Sequence, residues 1–401
     1  MHVLIIPSWY PRHSGDVHGS FFREQTLALQ RNECKVGVIY PELHSLKEWK
    51  FFFSGKKGFA FENDEGIKTY RFRGFNWFPR IAKFESKLFL RKGLQLYREY
   101  TKKNGPPDII HAHSLLYGGL IASEIRKIHE IPFVVTEHSS GFARNLISKE
   151  NLITARNSSL ESSEKFAVSP ELAELLDQKI GFPASKKWKY LPNIVSSNFT
   201  NNELKETTDK NYHHFLNIAF MNKNKRQENI IYAFSELHKI NKNIYLTIGG
   251  DGPERKKLEK LVIDLKIKEK VKFTGILSRS QVISTLRNSD TFILASNYET
   301  FGVVAIEALA LGIPVIATKC GGPNSIIQRG DGILVPINDI VALTTAMLDI
   351  IKNKIHYNSA DIKNNCIKRY GEEAVINQLK NTYGKIINSE KTIRKSITLN
   401  S

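Results

Sequence analysis

The sequence predicts an α/β protein with two parallel-sheet domains. Short apolar runs bounded by turn residues alternate with helical patterns over 1–190, and a second set of such alternations begins after residue 215. The stretch 191–217 between the two sets is polar, rich in Asn, Ser and Thr, and weakly periodic, which is typical of an interdomain linker. A chain of 401 residues is long enough for two domains with separate cores. We therefore predict domains at 1–197 and 198–371.

The composition indicates a globular protein of a reducing compartment. Apolar residues make up 41% of the chain and charged residues 24%, and no stretch approaches the ~18 consecutive apolar residues of a membrane span. The apolar run before Pro7 is too short for a secretory signal and predicts a first strand instead. The three cysteines are widely separated, so we expect neither a disulfide framework nor a zinc site, and the expected location is the cytoplasm.

The net charge of +18 is spread over both halves of the chain, with a local concentration at 80–103. The apolar residues of this segment fall roughly on one helical face, and Phe75, Trp77 and Phe78 precede it. Two interpretations stay open: a helix lying on an anionic membrane surface, or a surface helix with a core-facing apolar stripe. A nucleic-acid partner is not expected, because the charge is the sole feature that favours one.

In the first domain, the candidate functional residues follow the predicted strands. In open parallel sheets ligands bind at the carboxyl ends of strands, so the loops after the first, fourth and fifth strands should line one site. These loops carry Gly19 at the start of a helix, His113 at the end of a His-Ala-His run, and Glu137 with His138. No third ligand at a suitable spacing supports a metal site at the histidines. The six strands are predicted at His2–Ile6, Lys35–Tyr40, Ile67–Arg73, Asp108–His111, Phe133–Thr136 and Phe166–Val168.

The second domain repeats this pattern. A cluster of cations at 223–226 follows its first strand and could neutralise a phosphate leaving group, although a solvated charged loop would look the same. The turn Gly249–Gly252 after the next strand lacks the G-x-G-x-x-G spacing, and this counts against a dinucleotide-dependent oxidoreductase. The strands are predicted at Leu216–Met221, Ile244–Gly249, Val271–Thr274, Thr291–Ala295, Ile313–Thr318 and Gly332–Val335.

The most informative stretch is 297–318. Its pattern predicts a loop carrying Glu299, a helix from Thr300 to Leu311, and a buried strand. The first amides of a helix favour an anion, typically a phosphate. Glu307 lies eight residues after Glu299, about 80° around the helix axis, so both carboxylates could reach one ligand. A phosphate site framed by two acids fits a nucleotide-sugar.

The run E-T-F-G-V-V-A-I-E-A-L-A-L-G-I-P-V-I-A at 299–317 resembles the E-x7-E signature of family 4 glycosyltransferases. These are retaining enzymes of the GT-B fold, in which two Rossmann-like domains face each other across a cleft. The phrases P-D-I-I-H-A-H-S-L-L-Y-G-G and G-D-G-P-E resemble the same family, and P-S-W-Y-P with H-G-S-F-F-R-E-Q resembles its bacterial surface-polysaccharide members. The resemblance implies a C-terminal helix at 372–388 that crosses back to the first domain, and we expect the remaining 389–401 to be disordered.

The resemblance also implies roles for individual residues. His113 would lie by the reacting face of the sugar, and Glu299 would hold the sugar hydroxyls; these are the two predicted catalytic residues. The family's phosphate-binding Lys maps to Lys225, whereas its Arg falls on Phe220 and its Gly on Arg226, so Lys223 or Arg226 would have to supply the second cation. The predicted donor-binding residues are Gly19, Lys225, Arg226, Ile276, Leu277, Glu299, Thr300, Phe301, Gly302, Val303, Val304 and Glu307, and the predicted acceptor-side residues are Glu137 and His138.

We therefore expect a metal-independent, cofactor-free retaining glycosyltransferase. It would move a sugar from a nucleotide-diphosphate sugar to a glycan or lipid-linked acceptor in bacterial surface polysaccharide synthesis, in the cytoplasm or on the cytoplasmic face of the inner membrane. A nucleotide-sugar epimerase or hydrolase on the same fold is the alternative, and a transferase that has lost activity and serves as a partner subunit is a further one. No D-x-D motif is present, in agreement with metal independence.

Overall fold

A computed structural model describes residues 1–13, 16, 19–45, 57–76, 82–181, 187–204, 211–352 and 357–399, with the side chains at 82–83 and 395–399 left aside. The chain divides into two compact units. The first consists of Met1–Pro192 together with Val375–Ser401, and the second is Asn193–Ala374. Each unit carries its own parallel sheet, as the alternation of strands and helices predicts.

The sheet of the first unit has eight strands within the described ranges, and β1 lies at its centre between β2 and β5. All neighbours pair in parallel apart from β3, which runs antiparallel to β4 at one edge. Strand β1 is buried along its whole length, which explains its continuous apolar sequence. The strands are β1 (His2–Pro7), β2 (Lys35–Ser45), β3 (Gly58–Asp64), β4 (Ile67–Asn76), β5 (Ile109–His113), β6 (Phe133–Glu137), β7 (Glu164–Ala167) and β8 (Lys189–Tyr190).

Helices connect these parallel strands, as crossover connections require. Two of them begin at a capping serine: the hydroxyl of Ser148 accepts a hydrogen bond from the Asn151 N–H, and that of Ser169 from the Leu172 N–H. The helices before the second unit are α1 (Ser20–Arg31), α2 (Ala82–Asn104), α3 (Leu120–His129), α4 (Lys149–Glu161) and α5 (Pro170–Leu176).

The second unit contains a fully parallel sheet of six strands in the part of the chain described, in the order β11-β10-β9-β12-β13-β14. Its core is formed by apolar residues of the strands and of helices α7, α8 and α12. The strands are β9 (His213–Ile218), β10 (Ile244–Gly249), β11 (Val271–Gly275), β12 (Thr291–Leu294), β13 (Val315–Thr318) and β14 (Gly332–Val335). The helices are α6 (Ser197–Thr200), α7 (Gln227–Ile240), α8 (Arg255–Asp264), α9 (Arg279–Arg287), α10 (Val303–Ala310), α11 (Pro323–Ile326), α12 (Ile340–Ile351) and α13 (Ser359–Tyr370).

The chain ends with α14 (Glu372–Leu399), whose residues from Val375 onward belong to the first unit. Lys380 Nζ donates to the Asn32 carbonyl at 3.1 Å, and Arg126 pairs with Glu390 at 2.9 Å. The prediction of a disordered tail at 389–401 is wrong as far as Leu399. Its polar composition suits the mostly exposed end of a long helix, which is held by the ion pairs of Glu390 and Arg394 and by the preceding buried turns.

The division between the units falls a few residues before the predicted boundary near Asn198. Residues 193–199 belong to the second unit because the Val195 N–H donates to the Tyr370 carbonyl and because Phe199 is fully buried there. Two edge strands of the first sheet, β3 with seven residues and β8 with two, were not predicted. Among the described helices, none combines the length and the apolar character needed to cross a bilayer.

Candidate active site

The loops that follow β9 and β12 meet at the carboxyl edge of the second sheet, and an ion pair joins them. Lys225 Nζ lies 2.5 Å from Glu299 Oε1, and the hydroxyl of Ser296 donates to the same oxygen at 2.6 Å. Lys225 is 25% exposed and Glu299 15%, so the pair is shielded but still reachable from solvent. The structure thus brings together two residues that the sequence predicted for one site from opposite ends of the second domain.

Backbone hydrogen bonds hold these two loops to each other. The Asn297 N–H donates to the Asn224 carbonyl at 2.8 Å, and the Asn224 side-chain amide donates to the Tyr298 carbonyl at 2.9 Å. The Lys225 N–H is held in turn by the Asn222 side chain. Because both loops are fixed in this way, the contact between Lys225 and Glu299 belongs to a positioned pair rather than to two freely moving surface side chains.

Helix α10 begins later than the sequence predicted, at Val303 instead of Thr300. Gly302 precedes it with φ of 116°, a conformation that a side chain would strain, and this ends the loop. Glu299 therefore lies outside the helix, where its N–H donates to the Cys320 carbonyl, so the 80° relation to Glu307 does not apply. The first amides of α10 point away from the helix without intrahelical acceptors, and this end favours an anion.

The predicted donor-binding residues around the start of α10 differ in how far their side chains are exposed. Phe301 is 2% exposed and packs edge-on against Tyr370, so only its backbone could contact a donor. Thr300, Val303 and Val304 are half-buried at the helix start. The geometry is compatible with backbone recognition of a phosphate or sugar, and these assignments stay predictions.

Glu307 is almost fully buried and is held by an arginine that the sequence analysis missed. Arg279 Nη1 donates to Glu307 Oε1 at 2.6 Å, and the Arg279 guanidinium lies 4.8 Å from the centre of the Phe199 ring. Arg279 is the first residue of α9, which starts with a capping box between Ser278 and Gln281. That local motif could have located the helix start, but not the partner of Arg279.

The predicted nucleobase residues lie just before α9. Ile276 is 76% exposed, and Leu277 is half-buried with its side chain near Gly249. An isoleucine as exposed as Ile276 at this edge is available to pack against the flat face of a ligand. Contact with a base stays a prediction.

Arg226 and Phe220 occupy the positions at which the sequence departs from the family pattern. Arg226 has φ of 50°, in the left-handed region that favours glycine. This backbone conformation explains why the family pattern has a glycine at the position of Arg226. Its guanidinium donates to Asn297 at 3.1 Å and to Glu228 at 3.0 Å, which engages the cation that we predicted for phosphate binding. Phe220 is 60% exposed, and Lys223 is exposed as well.

In the first unit, Gly19 lies at the start of α1, next to the loop that follows β1. It has φ of 78°, and a Cβ atom there would lie 2.9 Å from the Trp9 ring. Glycine is therefore required by the turn and by the packing of Trp9. A role in donor binding stays a prediction.

His113 is fully buried at the end of β5, within a group of aromatic rings. Its Nδ1 lies 3.1 Å from Nε2 of His138, and its ring stacks on that of His111 with the centres 4.2 Å apart. Among the described residues, none forms a hydrogen bond with the His113 Nε2 atom, so one polar atom of the predicted catalytic residue is unsatisfied there. Burial and the neighbouring histidines hold the pKa of His113 well below its usual value, so the imidazole is neutral near pH 7.

His111 links His113 to the C-terminal helix. Its Nδ1 lies 2.6 Å from the hydroxyl of Tyr383 on α14, and its Nε2 lies 2.8 Å from the hydroxyl of Thr136. Both ring nitrogens are thus engaged, and the ring on which His113 stacks has a fixed orientation. Within the described ranges, no three His, Cys, Asp or Glu side chains are grouped to hold a metal ion.

Glu137 was predicted on the acceptor side, and the structure places its carboxylate under the loops of this region. It is fully buried and accepts hydrogen bonds from the backbone N–H groups of Leu115, His138 and Ser139 at 2.7–2.9 Å. Burial raises the pKa of Glu137, and these N–H donors oppose that effect. The carboxylate therefore positions the loop that carries His138, and contact with an acceptor stays a prediction.

Two family models match this chain. Residues 198–369 match the model of the glycosyl transferases group 1, and residues 20–199 match that of Glycosyltransferase Family 4. The two matches follow one another along the chain and leave out little more than its ends. The chain belongs to the group 1 glycosyltransferases.

The curated relatives of this chain include bacterial proteins. The N-acetyl-alpha-D-glucosaminyl L-malate synthase of Bacillus anthracis is 29% identical over 179 residues, which cover 44% of this chain and 46% of the relative. The chain thus spans about half the length of that relative. The putative teichuronic acid biosynthesis glycosyltransferase TuaC of Bacillus subtilis is 27% identical over 86% of this chain and 88% of its own.

Among solved structures, HepE of Anabaena in complex with UDP superposes with a TM-score of 0.72. It is 18% identical, and the superposition covers 96% of this chain and 100% of HepE. At this identity the likeness concerns the fold alone. Together with the two parallel sheets, it confirms the predicted GT-B fold class.

Proposed function

We propose that this chain is a retaining glycosyltransferase that moves a sugar from a nucleotide-diphosphate sugar to a hydroxyl group of a glycan or lipid-linked acceptor. The single observation that carries the proposal is the pairing of Lys225 with Glu299 beside the start of α10. A lysine and the first amides of a helix suit a diphosphate, and a carboxylate beside them suits sugar hydroxyls. HepE, which shares the fold, has been solved with UDP, with UDP and glucose, and with UDP-glucose.

In this proposal the second unit binds the donor. Glu307, fixed by Arg279, would accept hydrogen bonds from ribose hydroxyls, and Lys225 would neutralise the diphosphate as it leaves. Ile276 and Leu277 would pack against the base. The positive charge of Lys225 and the dipole of α10 would provide the stabilisation of the leaving group, so no metal is required by this scheme.

By the family resemblance, neutral His113 of the first unit would be a hydrogen-bonding partner of the reacting sugar. Its Nε2 atom is buried in the structure, so this contact requires the atom to become accessible when the sugar binds. Retention is inferred from the resemblance of 299–307 to the E-x7-E signature. The configuration of the product tests it: the anomeric coupling constant of the product, measured by NMR, should match that of the donor. An inverted centre would refute the retaining assignment.

The donor is identified by thermal unfolding of the full chain with UDP-, GDP- and ADP-sugars, because a ligand that binds the folded state alone raises the melting temperature. With the donor known, Lys225→Ala and Glu307→Ala should each abolish transfer while the far-UV circular dichroism stays unchanged. Near-normal turnover in both variants would refute the site. Turnover of the donor without an acceptor would indicate the epimerase or hydrolase instead.

We further propose that the first unit touches an anionic membrane surface, where a lipid-linked acceptor would be held. Phe59 and Phe61 on the edge strand β3 are each exposed by more than half, and Phe84 on α2 is 54% exposed. Lys92 Nζ of α2 lies 5.4 Å from the centre of the Phe59 ring. Exposed aromatic rings beside a basic helix are typical of interfacial binding. Trp77 and Phe78, which the sequence suggested for this surface, lie outside the described residues, as do Arg80 and Ile81.

A further inference from the structure

Glu299 and a diphosphate both require the ammonium group of Lys225. Lys225 Nζ contacts Glu299 Oε1 at 2.5 Å. Two neighbouring cations of this sheet edge already have carboxylate partners of their own: Arg226 binds Glu228, and Arg279 binds Glu307. Lys223 of the same loop is exposed and could add a second positive charge. A diphosphate at the start of α10 that uses Lys225 would compete with Glu299 for it, and the two anions would lie at short range from each other.

The loops that carry Lys225 and Glu299 keep this competition in place. The hydrogen bonds from Asn297 to Asn224 and from Asn224 to Tyr298 join the two loops, and the Ser296 hydroxyl holds the Glu299 carboxylate. When the ammonium group turns toward a phosphate, Glu299 stays within a short distance of it. The Glu299 carboxylate is thus held in a position from which it can form the ion pair with Lys225 again.

The strength of the competition changes during the reaction cycle. While a sugar is attached to the diphosphate, its hydroxyls can donate to Glu299 and replace the hydrogen bond from Lys225. After transfer the sugar has left, and the product is a nucleoside diphosphate with more negative charge. At this stage Glu299 has lost its hydroxyl donors and faces the phosphate directly.

We propose that Glu299 displaces the product: it competes with the nucleoside diphosphate for Lys225 and thereby speeds product release. This inference rests on the proposed function, since it assumes that the site binds a nucleotide-sugar. It adds a second task to a residue that we otherwise assign to the sugar hydroxyls. It requires that removing the charge of Glu299 has opposite effects on product binding and on transfer.

The test compares the full chain with its Glu299→Gln variant in calorimetric titrations with UDP, GDP and ADP at low salt. Glutamine keeps the size of the side chain and an acceptor for Ser296 but removes the negative charge. We expect the dissociation constant of the bound nucleotide to fall at least about fivefold, with a slower dissociation rate, while the rate of transfer decreases. A burst of product before the steady state would show that release has become limiting.

Glu236→Gln is the matched control. It changes the net charge by the same amount on α7, where the exposed Glu236 pairs with Lys239 and not with Lys225. Its nucleotide affinity should stay within about twofold of the unmodified chain. Equal or weaker nucleotide binding in Glu299→Gln, with normal binding by the unmodified chain, would overturn the inference and leave the proposed function standing. If the unmodified chain binds none of the nucleotides or their sugars, the proposed function itself is overturned, and this inference with it.

Discussion

Acidification should destabilise the first unit through its buried histidines, and His111 allows the size of the effect to be worked out. Burial lowers the pKa of His111 to about 3, compared with an ordinary value of 6.5. Between these values the unfolded chain binds more protons than the folded one, so stability is lost as the pH falls below about 6.5. At pH 5 the expected loss from His111 alone is about 2 kcal/mol, because the unfolded imidazole is then almost fully protonated.

The assay is urea unfolding of the full chain and of His111→Gln at about pH 7.5 and about pH 5. The variant should be less stable than the unmodified chain at the higher pH, because the bonds to Tyr383 and Thr136 are weakened. This difference should shrink by about 2 kcal/mol at the lower pH, since glutamine does not titrate. His129→Gln, which removes an exposed histidine of α3, is the control. A difference between His111→Gln and the unmodified chain that does not change with pH would refute the reasoning.

Three further predictions concern separate parts of the molecule. Arg279→Gln should raise the KM for the donor about tenfold with a smaller effect on kcat, since a charge-assisted hydrogen bond that positions Glu307 is lost. Steady-state kinetics measures both constants, and Arg279→Lys, which keeps the positive charge, should restore part of the affinity. Glu137→Ala should lower the free energy of unfolding by about 3 kcal/mol or more, because three backbone N–H groups lose their acceptor. Urea unfolding measures this loss, and a clearly smaller value would contradict the prediction. Replacing Phe59 and Phe61 by Ser should weaken sedimentation with phosphatidylglycerol vesicles at low salt, whereas Ile240→Ser, at an exposed isoleucine of the second unit, should not; equal binding by all variants would contradict the membrane surface.

Most of the two sheets could be predicted because buried parallel strands carry continuous apolar runs, and β1 and β10 are clear examples. Strand β3 was missed for the opposite reason. It lies at an edge, and its side chains alternate between half-buried and exposed, with the exposed positions taken by Phe59, Phe61 and Asn63. A short run of this kind, which includes two exposed aromatic rings, does not resemble a core strand.

The candidate site was predicted from local signals, and such signals do not show which side chains and backbone groups a residue contacts in the fold. Glu299 and Glu307 were located by the helix start and by the family signature, both of which lie within a few residues. Arg279, in contrast, meets Glu307 from a different helix, and no pattern around either residue indicates this contact. Glu137 looked like a ligand-binding residue because strand ends carry such residues, yet its carboxylate serves three backbone amides of adjoining loops.

Arg226 shows how a departure from a family pattern becomes clear only with backbone angles. The chain turns through the left-handed region at the start of α7, where glycine is favoured and any other residue is strained by about 1–3 kcal/mol. Arg226 offsets part of that strain by its bonds to Asn297 and Glu228. These bonds keep its charge away from a bound phosphate unless they break. Under the proposed function Lys225 and the exposed Lys223 then remain as the cations of this loop for a diphosphate, and Lys225 is the one that such a ligand would have to share with Glu299.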